Sequence, residues 1–190
     1  MTIDSTSASL LERLEVPGQK EAWDRLVDLY GPFLQECARR LGAQTQDAAD
    51  LVQEVFVVLL AMMPTFKYEK GKTFRGLLRT IMRNKWLDMV RRKKTAVGAA
   101  DDAGLDEAAD HDALESMWVH EHQQYLVRRG MEVIRAEFEP KTWRSCWESV
   151  VVGRPTAEIA AELGITENAV YIAKHRVLRR LRQELEGMLE

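Results

Sequence analysis

Three carboxylates, Asp47, Asp50 and Glu54, fall within about 60° of one another if the chain from Asp47 to Pro64 is a helix at 100° per residue. Leu51, Val52, Val55, Leu59 and Met63 then cover the opposite side, so one face is acidic and the other is core. Such a cluster could ligate a divalent cation, but no histidine or second acidic helix completes an oxygen-rich shell. A protein-docking surface or a solvated face is the better reading, and no metal or cofactor is expected. A second grouping is basic. Phe66 to Lys94 holds eleven Lys and Arg against only Glu69 and Asp88, and Arg75, Arg79 and Arg83 recur every four residues with Trp86 and Val90 on the same stripe. Arginines hold phosphates and aromatic faces stack on bases, so this stripe suits a single strand or a melted duplex. The alternative buries Trp86 in a core.

A third grouping lies near the C-terminus. From Pro155 to Arg182 the pattern is that of a helix-turn-helix. Ala160 is small where a second helix must approach, Gly164 sits where the turn needs positive φ, and Ile159, Leu163, Ile165 and Val170 fill the wedge. Thr156 and Thr166 are each placed to cap a helix start. In such motifs the second helix enters the major groove with its N-terminal residues at base edges. Thr166, Glu167, Asn168, Tyr171, Lys174 and His175 are then the candidate readers, with Arg176, Arg179 and Arg180 meeting phosphates. An ordinary helical hairpin with a solvated basic end is the competing reading.

These groupings need an all-α scaffold of two modules. The net charge of −3 argues by itself against a simple nucleic-acid binder, but its distribution is uneven. Thr95 to Val127 has no Lys or Arg and carries eight acids, so an acidic strap separates two basic modules. Residues 1–95 are expected as a first helical domain, 96–115 as a flexible Ala, Gly and Asp-rich linker, and 116–190 as a second domain containing the helix-turn-helix. Helices are expected at about Gln19–Leu29, Phe33–Leu41 after an interruption at Gly31-Pro32, Asp47–Pro64 capped by Asp47, and Phe74–Arg92. In the second domain they run from about Ser116 to Glu137 and from Pro140 to about Val151, before the final pair. Cys37 and Cys146 have no zinc-site or disulfide spacing and read as reduced thiols on helices. The longest apolar run, Val55–Met63, is too short to span a bilayer, which points to a cytoplasmic chain with no membrane partner.

The string from Asp47 to Phe56, followed by Phe74-Arg-Gly-Leu-Leu, Arg83-Asn84, Asp88 and Arg91-Arg92, resembles the promoter-melting domain of extracytoplasmic-function (ECF) sigma factors of the sigma-70 family. Glu158 to Thr166, with Val170 and His175-Arg176, is similar to their second domain, and the two likenesses come in the family's order. The resemblance implies a non-catalytic subunit that binds core RNA polymerase and directs it to promoter DNA. Asp47, Asp50, Gln53 and Glu54 match the segment that docks on the β′ clamp coiled coil, and a β flap contact is implied as well. Arg75, Arg79, Arg83, Asn84, Trp86, Arg91 and Arg92 match the part that opens the minus-ten element, although Asp88 with Arg91 or Arg92 could form a structural pair. The helix-turn-helix would read the minus-thirty-five element. The strap corresponds to a linker through the polymerase's RNA channel, and an anti-sigma partner is common in the family. Tyr171 and Ala173 depart from positions often basic in relatives. Trp143 and Trp147 replace a more aliphatic segment and are expected to repack the core.

Two rivals are weighed beside this. An autonomous repressor or activator would be a dimer on palindromic half-sites, which two unlike modules around a linker do not suit. A metal-dependent nuclease would use Asp47, Asp50 and Glu54, or His111, His120 and His122, and lacks a second ligand set.

Overall fold

The computed structural model describes residues 9–65, 73–97 and 117–189. Every regular element among them is helical. Residues 98–115 of the expected linker, His111 among them, and the loop between Thr65 and Thr73 lie outside the described residues. Two compact units emerge, one built on Leu10–Leu126 with Gly187–Glu190 and the other mainly on Val127–Glu186.

In the first unit a short helix α1 (Leu10–Leu14) precedes α2 (Lys20–Arg40), α3 (Thr45–Met62) and α4 (Phe74–Val97), and α3 packs against both α2 and α4. The expected interruption at Gly31-Pro32 does not occur. Pro32 sits inside α2 because Leu26, Leu29, Tyr30, Phe33, Leu34 and Cys37 form one buried stripe across it. Burying several large side chains outweighs the roughly 3 kcal/mol that an interior proline costs. Helix α3 begins two residues before Asp47, with Gln44 at its cap position, so Asp47 lies in the first turn rather than capping it. There its carboxylate still favours the helix N-terminus through the macrodipole.

Helix α4 starts at a cap that the sequence pattern did not single out, since the Thr73 hydroxyl accepts from Gly76 N–H at 3.0 Å. It also runs past the expected end at Arg92. Thr95 Oγ1 donates to the Arg91 carbonyl, and Arg92 and Lys93 are held against α3 by ion pairs. Together with its continuation to Thr65, α3 is long and apolar enough, by length and composition, to cross a membrane, which the apolar run alone did not suggest. Its Ala48, Leu51, Val55 and Leu59 are buried in this unit instead.

The first unit also takes in residues expected to open the second. A helical turn at 117–120 and the start of α5 (His122–Ile134) bury Met117, Trp118, His122 and Leu126. Phe33 of α2 meets Trp118 edge-on at 4.9 Å and lies 5.1 Å from the Tyr125 ring, and Arg40 binds Glu121 at 2.7 Å. An aromatic cluster on α2 thus draws 117–126 away from the boundary that charge composition placed at 116.

The second unit contains the rest of α5, a 3₁₀ turn at Arg135–Glu137, α6 (Pro140–Trp147), a π-helical turn at Glu148–Val152, α7 (Thr156–Leu163) and α8 (Glu167–Glu184). Pro140 occupies the first turn of α6, where its missing N–H costs nothing. At Gly130 a β-carbon would lie 2.8 Å from Leu181 Cδ1, so α5 and α8 approach closely there and a larger residue would require the Leu181 side chain to shift. Arg180 binds Glu137 at 2.7 Å and neutralises buried Glu184 at 2.6 Å, fixing α8 to the turn after α5.

Candidate nucleic-acid interface

Helices α7 and α8 form the expected helix-turn-helix. Ile159, Ala160 and Val170 are buried between them, with Leu163 and Ile165 packed against the cluster. Gly164 ends α7 at φ +64°, a left-handed conformation that a β-carbon would strain. Thr166 caps α8, its hydroxyl accepting from Ala169 N–H at 3.1 Å. Thr156 does not cap α7, because Pro155 holds that position and Thr156 is already helical. Its hydroxyl instead donates to Glu167 Oε2 at 3.2 Å and ties the two helix starts together.

An ion network sets α7 on the preceding turn. Arg144 contacts Glu148 at 2.6 Å and also Glu162, while Arg154 contacts Glu148 and lies 2.8 Å from Glu162. The guanidiniums of Arg154 and then Arg144 hold the Glu162 carboxyl below its ordinary pKa. The turn they brace ends at Gly153, in a left-handed conformation at φ +77°.

On α8 the buried stripe is Val170, Ala173, Val177 and Leu181. Thr166, Glu167, Asn168, Tyr171, His175, Arg176 and Arg179 are exposed, and a shallow groove runs along Tyr171, Ile172, His175, Arg176 and Arg179. Lys174 is only half exposed. Its charge acts on Cys146, whose thiol is pushed up in pKa by burial and eased back by Lys174, so this lysine lies at the flank of the reading face. Ala173 is 6% exposed and belongs to the core, so its departure from a basic residue removes no contact from this face. Ile172, 46% exposed, was not among the sequence-derived readers. A helical wheel drawn from the buried stripe would have found it.

The basic helix of the first unit is arranged differently. Glu54 receives Arg92 at 3.0 Å and Lys85 at 3.3 Å, and Lys93 pairs with Asp47. The Arg92 hydrogen bond, then that of Lys85, holds the Glu54 carboxyl below its ordinary pKa against the opposing effect of burial. Asp50 and Gln53 remain outward and exposed. Two of the three carboxylates offered to a nuclease metal, Asp47 and Glu54, therefore face cations of their own chain, and Arg92 is engaged by Glu54 rather than by Asp88's carboxylate. Arg83, Asn84 and Arg91 are exposed, while Arg75 and Arg79 are half buried.

Trp86 is corrected by the structure. It is 6% exposed, so its ring belongs to the packed interior and is not offered to a base. His122 is likewise no metal ligand here: it is fully buried among Tyr30, Phe33 and Trp118, with Nε2 3.3 Å from the Tyr30 hydroxyl. Burial, helped by the Arg75 charge, lowers its pKa to about 4. Cys37 is buried and its thiol is pushed up to about 12 by desolvation, leaving it protonated and unreactive.

Trp147 is exposed and Trp143 half-buried, so the pair is not a core replacement. Four-residue spacing places both on one face of α6, with ring centroids 6.1 Å apart and planes at 25°, while Ser145 and Cys146 take the buried side. With Glu132, Arg135, Ala136, Phe138, Pro140 and Arg144 they line a groove of about 870 Å³. Val150, Val151 and Val152 of the adjoining turn are also exposed.

Residues 26–96 match the family model described as Sigma-70 region 2. The chain is 31% identical over 170 residues to the ECF RNA polymerase sigma factor SigE of Mycolicibacterium smegmatis, covering 86% of this chain and 62% of that protein's length. It is 28% identical over 165 residues to the ECF RNA polymerase sigma factor SigL of Mycobacterium tuberculosis, covering 86% and 88%. Among solved structures, a chain of the RsbN–BldN complex aligns with TM-score 0.38 and 21% identity, covering 91% of this chain and 97% of that one. Residues 26–96 thus carry a Sigma-70 region 2 module, and over most of its length the chain is similar to extracytoplasmic-function sigma factors of the sigma-70 family.

Proposed function

We propose that this protein is a non-catalytic initiation subunit of RNA polymerase, working in the cytoplasm to bring core enzyme to particular promoters and to stabilise their opening. The observation that carries this is the pairing of a module matched by Sigma-70 region 2 with a helix-turn-helix whose second helix presents Asn168, His175, Arg176 and Arg179 outward. Asp47, Asp50, Gln53 and Glu54 form the edge offered to the β′ clamp coiled coil. Asp50 and Gln53 supply its outward contacts, and the pairs at Asp47 and Glu54 hold its shape. Arg75, Arg79, Arg83, Asn84 and Arg91 serve the minus-ten element, and Thr166, Glu167, Asn168, Tyr171, Lys174, His175, Arg176 and Arg179 serve the minus-thirty-five element. The Trp143–Trp147 groove is the seat offered to the β flap, since two stacked indoles, one exposed and one half-buried, beside an arginine suit an apolar helix of a partner. An anti-sigma partner would compete for the same two faces.

Mechanistically, the helix-turn-helix sets register on duplex DNA, and the arginine face of α4 contacts the opened strand. Core polymerase performs the chemistry. In-vitro transcription with core enzyme and a promoter library is expected to give transcripts from defined start sites only when this protein is added. Folded protein with no promoter-dependent transcript would overturn the proposal. Asp50→Arg is expected to weaken pull-down of core enzyme without loss of helicity, and unchanged capture would remove the docking assignment.

A further inference from the structure

The reading face of α8 carries an apolar side chain where polar readers are expected. At 100° per residue, Asn168, Ile172, His175 and Arg179 lie within about 40° of the direction opposite the buried stripe. Ile172 therefore belongs to the outward face, not to a fringe of the core, and 46% of it is open to solvent. It stands one helical turn after Asn168 and one before Arg176, beside Tyr171, His175 and Arg179 in the same groove. An isoleucine has no hydrogen-bond capacity, so it cannot use the nitrogen and oxygen edges that distinguish bases. The major groove offers one apolar group for such a side chain, the C5-methyl of thymine.

We infer that Ile172 is a specificity-determining residue that selects a thymine in the upstream promoter element by packing on its methyl group. The inference rests on the proposed promoter-reading function and adds to it the base chemistry at one position. Desolvating an otherwise exposed isoleucine against a methyl is favourable, whereas placing it on a cytosine amino group leaves that donor unsatisfied. Asn168, one turn earlier, is suited to an adenine edge, so the two together favour an A·T-containing site.

The test uses the full chain with core RNA polymerase. A randomised upstream element is first selected for binding, and each selected thymine is then replaced in turn by deoxyuridine, which lacks only the methyl. The expected result is that one replacement weakens binding by about fourfold, the equivalent of one buried methyl, in the unaltered protein. Ile172→Ala should bind the thymine and deoxyuridine duplexes equally, with its helicity unchanged. If no sequence is enriched, the promoter-reading function fails and the inference with it. An enriched element in which no deoxyuridine replacement matters, or in which Ile172→Ala retains the full methyl preference, overturns the role of Ile172 alone.

Discussion

Helices α4 and α8 are the two basic helices of this protein, and they dispose of their charge in opposite ways. On α4, Lys85, Arg92 and Lys93 face the carboxylates of α3, and the aromatic residue that might have stacked on a base is buried. On α8, Arg180 of the basic run is tied to Glu137 and Glu184, while Arg176 and Arg179 flank an open groove. The count of basic residues is larger in the first module, yet several of them serve cohesion. Clustered arginine and lysine report electrostatic capacity, and only their partners decide whether it is directed inward or toward nucleic acid.

The largest effect expected from testing this contrast is at Trp86. Trp86→Ala should destabilise the first unit by about 3–5 kcal/mol in urea unfolding, as for other buried aromatics. A variant of unchanged stability that failed only in strand opening would instead restore Trp86 to the DNA face. Next in size is the pH response of His122. Its folded-state pKa of about 4 lies below the ordinary 6.5, so the unfolded chain binds more protons between these values. Stability should therefore be fully present above pH 6.5 and fall as pH drops toward 4, by up to about 3 kcal/mol from this group. His122→Phe should flatten that portion of a melting-temperature profile, and an unaltered slope would place the titration elsewhere.

The third comparison sets Arg179→Ala against Arg92→Ala. Arg179→Ala is expected to reduce the salt dependence of upstream-duplex binding by about one unit of slope. Arg92→Ala should leave that slope alone and cost under about 1 kcal/mol of stability, because its pair with Glu54 is largely exposed. Equal effects on the slope would erase the distinction between the helices. A similarly modest effect is expected at the cap of α8, where Thr166→Ala should cost about 1 kcal/mol and weaken duplex binding modestly. A stability loss confined to α4 would not fit.

Much of the helix-turn-helix was legible because its requirements are local. A small Ala160, a left-handed Gly164 and a Thr166 cap each act within a few residues, and each is where the pattern put it. Thr156 misled because Pro155 could take the cap position one residue earlier. Pro32 misled for another reason: proline's local cost was countered by a buried stripe continuing across it. At Trp86, periodicity put the ring on the arginine stripe but could not say which side of that stripe meets a neighbouring helix. Ala173 looked like a lost basic contact because substitution patterns do not distinguish a reading position from a packed one.

By itself the sequence determined the all-α class, the positions of the glycine turns, the acidic and apolar faces of α3, and the resemblance that the family comparison bears out. These follow from backbone preference and helical periodicity, which are properties of neighbouring residues. Only tertiary structure decided that Glu54 is held by Lys85 and Arg92 and that His122 is neutral in an aromatic cluster with Tyr30 and Phe33. The same holds for Trp143 and Trp147, which line a surface groove, and for Ile172, which stands on the open side of α8. Each depends on a partner or an exposed side supplied by packing between elements, through burial and electrostatics that spacing along one helix does not contain.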